Sequence, residues 1–104
     1  TAADECEALA RDIGDSFAMI MENHGLLTCG RSIGECFYYL YYLETACKIQ
    51  VDVLSSGQAP LLLSNKVVDG LFADGGVPKN EPPGAEDWYP QLRWLDNNLP
   101  GFRD

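Results

Sequence analysis

His24 is the only histidine of this 104-residue sequence, and it stands between Asn23 and Gly25, where one apolar run ends and another begins. The flanking runs are Phe17–Met21 and Leu26–Cys29. Short apolar runs are typical of strands, and Asn and Gly tolerate the positive φ of a sharp reversal. An imidazole fixed in such a turn can bind a metal ion or carry a proton. The tripeptide alone fits an ordinary turn histidine equally well.

A long helix is predicted directly after this hairpin. Ser32 and Glu35 have the Ser-x-x-Glu spacing of a capping box, and Gly57 ends the helix after about Ser55. Helical spacing then predicts a core stripe on one face, formed by Ile33, Cys36, Phe37, Leu40, Leu43, Cys47, Val51 and Leu54.

Four tyrosines extend the apolar surface of this helix beyond the core stripe: Tyr38, Tyr39, Tyr41 and Tyr42. A helix that is apolar on more than one face is often covered by a second partner. We therefore expect these tyrosines at or near a subunit contact. The alternative is that their rings pack locally while their hydroxyl groups face water.

The remaining segments follow simple local signals. Ala2–Ile13 is predicted as a helix that stops at Gly14, and Phe17–Met21 as a strand buried on both faces. Residues 60–63 are expected to be extended, Ser64 to cap a short helix through about Ala73, and residues 85–98 to be helical. Glycine, proline and charged residues predict a mobile loop over residues 74–84.

The composition weighs against several kinds of partner. Sixteen acidic and seven basic side chains give a net charge of −9, whereas nucleic acids and anionic membrane surfaces attract clustered Lys and Arg. We expect neither partner. The four cysteines form no Cys-x-x-Cys pair, and Cys36 and Cys47 lie about 16 Å apart along the predicted helix, too far for a disulfide. Free thiols in a reducing, cytoplasmic protein are the expectation.

The sequence from Ala18 to Gln50 resembles the second half of the class II aldolase/adducin domain. The resemblance is carried by the Asn-His-Gly turn, the Gly30-Arg31-Ser32 segment that opens the helix, and Leu-Glu-Thr-Ala-Cys within the helix. It implies an α/β fold with three α/β/α layers and a mostly antiparallel central sheet. Residues 1–104 would be the C-terminal part of a single such domain. Since the sequence also lacks an initiator methionine, we expect a fragment of a longer protein.

The same resemblance assigns a metal-binding role to His24. Enzymes of the family hold a divalent metal, usually zinc, with a His-x-His pair from an earlier strand and the histidine of Asn-His-Gly. Asn23 and Gly25 would support the turn that aims His24. This sequence has no second histidine, and the acid/base residue of the family lies in a segment that would precede Thr1. Either the parent protein has been cut, or it is a member that lost catalysis.

Two functions follow from the resemblance. The first is part of a metal-dependent class II aldolase-like lyase that acts on a small hydroxy-carbonyl or hydroxy-acid substrate. The second is a non-catalytic, adducin-like interaction module. Members of the family resemble one another in forming four-fold rings, so a homotetramer is expected. Whether this chain belongs to an enzyme is left open by the sequence.

Overall fold

The computed structural model describes residues 1–74 and 83–104. Helix α1 (Ala2–Ile13) precedes an antiparallel hairpin of strands β1 (Ala18–Met21) and β2 (Gly25–Thr28). Helices α2 (Ile33–Ser55), α3 (Asn65–Asp74) and α4 (Ala85–Asn98) follow, and a 3₁₀ turn (Pro100–Arg103) comes last. The α/β class predicted from the sequence is confirmed. The predicted loop over residues 74–84 falls almost entirely outside the described residues.

Helix α1 has the ends that its sequence predicts. The Thr1 hydroxyl accepts a hydrogen bond from the backbone N–H of Asp4, and the Asp4 carboxylate accepts one from the Thr1 amino group at 2.9 Å. The helix stops at Gly14, whose φ of 50° favours glycine over residues that carry a side chain. Both ends are therefore fixed by residues within four positions of the helix.

The hairpin pairs four residues on each strand, from Ala18 opposite Thr28 to Met21 opposite Gly25. Its base is closed by the backbone N–H of Cys29, which donates to the carbonyl of Phe17 at 2.8 Å. The prediction that β1 is buried on both faces is wrong for the described chain, because Ile20 is 67% exposed. Residues of β1 alternate between faces, and the described chain leaves most of the Ile20 side chain uncovered.

Helix α2 begins at Ser32, whose hydroxyl accepts a hydrogen bond from the N–H of Glu35 at 3.1 Å. The other half of the predicted capping box differs, because the Glu35 carboxylate binds the N–H of Arg31 and not that of Ser32. The predicted core stripe is also largely uncovered: Ile33 is 69% exposed and Leu54 58%. The periodicity identified an apolar face correctly, but the described residues cover little of it.

Helices α2 and α4 meet through two glycines near their first turns. A Cβ atom at Gly34 would lie 2.9 Å from the Cβ of Trp88, and one at Gly84 would overlap the carbonyl of Gly34. The φ of 87° at Gly84 also favours glycine. The contact is completed by Phe37, whose ring centroid lies 5.7 Å from that of Trp88.

The connection between α2 and α3 is irregular and exposed. Residues 60–64 form neither helix nor strand, and Leu61 is 95% exposed. Helix α3 begins where Ser64 was expected to cap it, and the Ser64 carbonyl accepts hydrogen bonds from the N–H groups of Val67 and Val68. After α4, Arg103 donates to Asp96 at 2.8 Å and holds the 3₁₀ turn against the helix.

The described part of the chain is open. No apolar side chain within it is buried, and Glu35 is its one buried polar residue. The radius of gyration is 17.4 Å, compared with roughly 13 Å for a compact domain of about 100 residues. None of the described helices is long and apolar enough to cross a membrane.

Candidate functional site

His24 lies in the three-residue loop that joins β1 to β2. Its backbone N–H donates to the carbonyl of Met21 at 3.4 Å. Asn23 has a φ of 54° and Gly25 a φ of 152°, so both residues take positive values on either side of the histidine. Asn is among the few side-chain-bearing residues that adopt this conformation readily. The turn therefore depends on the residue types that the sequence places beside His24.

Gly25 serves the turn through its backbone angle. A Cβ atom at this position would meet nothing within 4 Å in the described chain. Its φ of 152° is the feature that restricts substitution.

The exposed imidazole of His24 lines a shallow groove between α1 and the hairpin. The groove has a volume of about 430 Å³, and its lining includes the acidic residues Glu5 and Asp12 from α1 and Glu22 from the turn. Leu9 and Met19 supply apolar surface beside them. An open, negatively charged groove attracts cations and admits a small polar molecule.

His24 fits one position of a zinc site but cannot form the site alone. A catalytic zinc ion takes three protein ligands and keeps one position open. In residues 1–74 and 83–104, no three His, Cys, Asp or Glu side chains are arranged to hold a metal ion. Any further ligands to a metal at His24 would have to come from outside the described residues.

A buried carboxylate lies at the opposite end of the hairpin from His24. Glu35, on the first turn of α2, is only 4% exposed. Its carboxylate accepts hydrogen bonds from the backbone N–H of Arg31 at 2.9 Å, from the Arg31 side-chain Nε at 3.3 Å and from the Tyr39 hydroxyl at 3.0 Å. Both carboxylate oxygens thus have partners, as a buried charge requires.

These hydrogen bonds shift the ionisation of both partners in the direction that keeps Glu35 charged. The bond from the Arg31 backbone N–H lowers the pKa of Glu35 against the opposing effect of burial, and the bonds from the Arg31 side chain and the Tyr39 hydroxyl lower that pKa further. Burial, together with the bond to Glu35, raises the pKa of Tyr39. At neutral pH the pair is therefore a carboxylate and a neutral phenol.

Arg31 belongs to the hydrogen-bond network of Glu35 and does not lie beside His24. The four residues of β2, at about 3.4 Å each, separate the two by roughly 14 Å of strand. Through these contacts with Glu35, Arg31 stabilises the start of α2. Glu44 and Lys48 form the surface ion pair that their i,i+4 spacing predicts, at 3.8 Å.

The four tyrosines of α2 divide into two environments. Tyr39 faces the hairpin, with its ring centroid 4.4 Å from that of Phe17. The Tyr38 ring packs at a tilt against that of Tyr42, with 4.7 Å between centroids, whereas Tyr41 and Tyr42 remain 59% and 55% exposed. A shallow cavity of about 230 Å³ lies beside them, between α2 and α4. The exposed aromatic surface is thus concentrated on one face.

Sequence reasoning missed the hydrogen bonds of Glu35. The spacing of Ser32 and Glu35 drew attention to the helix cap, although Arg31, Glu35 and Tyr39 also follow one another at four-residue intervals. Residues four apart are neighbours on a helix. That interval was the signal that could have identified the contact with Tyr39.

Comparison with known proteins adds three findings. Residues 1–51 match the family model described as Class II Aldolase and Adducin N-terminal domain. A Pseudomonas aeruginosa protein whose name assigns it to aldolase class 2 is 35% identical in an alignment over 103 residues, and the alignment covers 96% of this chain and 40% of that protein. Alpha-adducin of Rattus norvegicus is 36% identical in an alignment over 93 residues, and the alignment covers 79% of this chain and 13% of adducin.

A solved structure agrees with the described fold. The crystal structure of an aldolase II superfamily protein from Pseudomonas syringae matches 97% of this chain with a TM-score of 0.80 and 34% identity. The match covers 41% of that structure. This chain therefore spans about two fifths of the length of the aldolase-type relatives that it resembles.

Proposed function

The chain belongs to the class II aldolase/adducin family, and we propose that it forms part of a metal-dependent lyase. The proposed substrate is a small molecule with a hydroxy-carbonyl or hydroxy-acid group. The observation that carries this proposal is the position of His24, which is exposed in a turn of defined backbone geometry at the edge of an acidic groove. Support for an enzyme also comes from the similarity to aldolase-type proteins over nearly the whole chain.

In this proposal the chain contributes one ligand and the turn that aims it. A bound divalent metal, which we propose to be zinc, would supply a Lewis acid that polarises a substrate carbonyl. His24 would donate a neutral ring nitrogen, with Asn23 and Gly25 fixing the direction of the side chain through their backbone angles. The other ligands and the acid/base residue would lie in parts of the protein outside this chain.

The alternative is a non-catalytic interaction module of the adducin type. It is favoured by the 36% identity to alpha-adducin, which extends over 79% of this chain. In such a module the hairpin and α2 would serve as a folded surface, and His24 would be a turn residue without a metal. The two proposals therefore differ in whether the full-length protein binds a metal and catalyses a reaction.

A retro-aldol assay distinguishes the two. The full-length protein is incubated with a panel of short hydroxy-carbonyl compounds before and after removal of metal by a chelator, and carbonyl products are quantified. We expect cleavage of at least one compound, at least a hundredfold loss on chelation, and recovery when zinc is restored. Absence of bound metal together with absence of cleavage across the panel would support the adducin-like module.

We also propose that the protein assembles as a homotetramer in the cytoplasm. The apolar and aromatic face of α2, with Tyr41 and Tyr42 exposed, supports a contact with another subunit. All four cysteines are free thiols, as expected in a reducing compartment. The net charge of −9 gives no basis for a nucleic-acid partner.

Replacing Tyr41 or Tyr42 by glutamate in the full-length protein is expected to split the assembly. A carboxylate placed in the contact would be desolvated without a partner, so we expect at least a tenfold rise in the subunit dissociation constant. Analytical ultracentrifugation measures the change. Tyr89→Glu, at a 66% exposed position on α4, is the matched control and should leave assembly unchanged. A monomeric wild type, or intact tetramers for Glu variants at all four tyrosines of α2, would contradict the proposal.

A further inference from the structure

The hairpin that carries His24 is short, and its two ends differ in how they are held. The turn with His24 lies at one end, and the base lies at the other, where Cys29 N–H donates to the Phe17 carbonyl at 2.8 Å. Only four residue pairs connect the two ends. An isolated two-stranded hairpin is marginally stable in water. The orientation of His24 therefore depends on what the base of the hairpin is fixed to.

The Glu35 carboxylate reaches both chain segments at this base. One of its oxygens accepts from the Arg31 N–H at 2.9 Å, and Arg31 follows β2 closely in the chain. The other oxygen accepts from the Tyr39 hydroxyl at 3.0 Å. The Tyr39 ring in turn lies against the ring of Phe17, directly before β1, with 4.4 Å between centroids. A single side chain of α2 thus holds the exit of β2 and, through Tyr39, the entry of β1.

The surroundings leave little space for this carboxylate to move. A Cβ atom at Gly30 would lie 2.9 Å from the Cγ of Glu35 and 3.1 Å from the backbone nitrogen of Cys36. Nearby, the Thr28 hydroxyl donates to the Cys36 carbonyl at 3.0 Å and adds a second link between β2 and α2. Glu35 is the one buried polar residue of the described chain. These contacts fix the hairpin base against one turn of the helix.

We infer that Glu35 is a positioning residue for His24, acting through the angle at which the hairpin stands on α2. This inference rests on the proposed function, in which His24 is a ligand of the metal. The hairpin extends roughly 14 Å from base to turn, so a tilt of about 5° at the base moves the imidazole by roughly 1 Å. Metal–ligand distances are held within about 0.2 Å, so such a tilt would weaken binding.

Three substitutions in the full-length protein test this inference. Glu35→Gln keeps the shape but removes the negative charge, so the bonds from Arg31 and Tyr39 lose their charge assistance and the Tyr39 hydroxyl must accept from the amide group where it now donates. Tyr39→Phe removes only the hydroxyl and keeps the ring beside Phe17. Glu44→Gln makes the same chemical change as Glu35→Gln on the same helix, but in an exposed surface pair, and serves as the matched control.

Two readouts separate positioning from general stability. Amide hydrogen exchange is measured for residues 17–29 of the hairpin and for residues 2–13 of α1, and zinc affinity is measured by competition at 25 °C. For Glu35→Gln we expect exchange in the hairpin to rise at least tenfold, exchange in α1 to stay within twofold of the wild type, and zinc affinity to fall about tenfold. Tyr39→Phe should give a smaller change of the same pattern, and Glu44→Gln none.

The outcomes are distinct. Unchanged hairpin exchange in both Glu35→Gln and Tyr39→Phe would overturn the inference, and so would a uniform rise across α1 and the hairpin. If Glu35→Gln does not fold, the milder Tyr39→Phe variant decides between these results. Equal zinc affinity in the wild type and a His24→Ala variant would refute the metal site of the proposed function. A zinc affinity that falls in His24→Ala but not in Glu35→Gln would refute only the positioning role.

Discussion

Replacing His24 by alanine in the full-length protein is expected to remove its bound zinc and its lyase activity while leaving the fold intact. Structural zinc sites bind with about 10–16 kcal/mol over four ligands, so a single ligand is worth roughly 3 kcal/mol, or about a hundredfold in affinity. The fold should persist because His24 is exposed, and substitutions at such positions change stability by about 0.5 kcal/mol or less.

Metal content and melting temperature, measured on the same preparations, check this prediction. The wild type should carry close to one zinc ion per subunit, and the variant less than about a tenth of that after dialysis. Gln58→Ala is a suitable control, because it changes an exposed residue beyond the far end of the 23-residue helix α2. Full zinc occupancy in the His24→Ala protein would show that the histidine is not a ligand.

The 104-residue chain by itself is expected to lack a sharp, cooperative melting transition. Among the described residues no apolar side chain is buried, and the radius of gyration of 17.4 Å exceeds the roughly 13 Å of a compact domain. Both strands of the hairpin leave an outer edge unpaired within the described chain. Exposed apolar surface and free strand edges favour association, so the isolated chain should form concentration-dependent oligomers.

Differential scanning calorimetry and sedimentation velocity test this expectation together. A compact domain of about 100 residues melts with an enthalpy of about 60–80 kcal/mol, and we expect less than about half of that for the isolated chain. The same segment within the full-length protein should be protected against proteolysis under identical conditions. A monomeric chain with a single cooperative transition at low concentration would show that residues 1–104 form a complete domain.

If both predictions hold, the stability of this chain and its binding of zinc both depend on parts of the protein outside it. His24 would supply one ligand of a site completed by residues elsewhere in the protein. The apolar face of α2, including Ile33 and Leu54, would be covered by those same parts or by another subunit. Binding of zinc to the native state alone would then also stabilise the full-length protein, by an amount that rises with zinc concentration.

Much of the secondary structure could be predicted because its signals are local. Thr1 and Gly14 mark the ends of α1, and Ser32 marks the start of α2, each through hydrogen bonds or backbone angles within a few residues. The Asn-His-Gly turn follows from the tolerance of Asn23 and Gly25 for positive φ. The same short motifs also indicated the family, because the turn and the start of the helix that follows it lie close together in the sequence.

Only the tertiary structure decided the features that depend on contacts between distant segments of the chain. The apolar run of β1 predicted burial on both faces, but the exposure of Ile20 depends on which elements lie beside the strand. The rings of Phe17 and Tyr39, which belong to segments far apart in the sequence, lie 4.4 Å from each other between centroids, a contact that no local pattern indicated. A local pattern fixes which face of an element is apolar or which group can accept a hydrogen bond. Only the packing of the chain in three dimensions decides which partner each face or group finds.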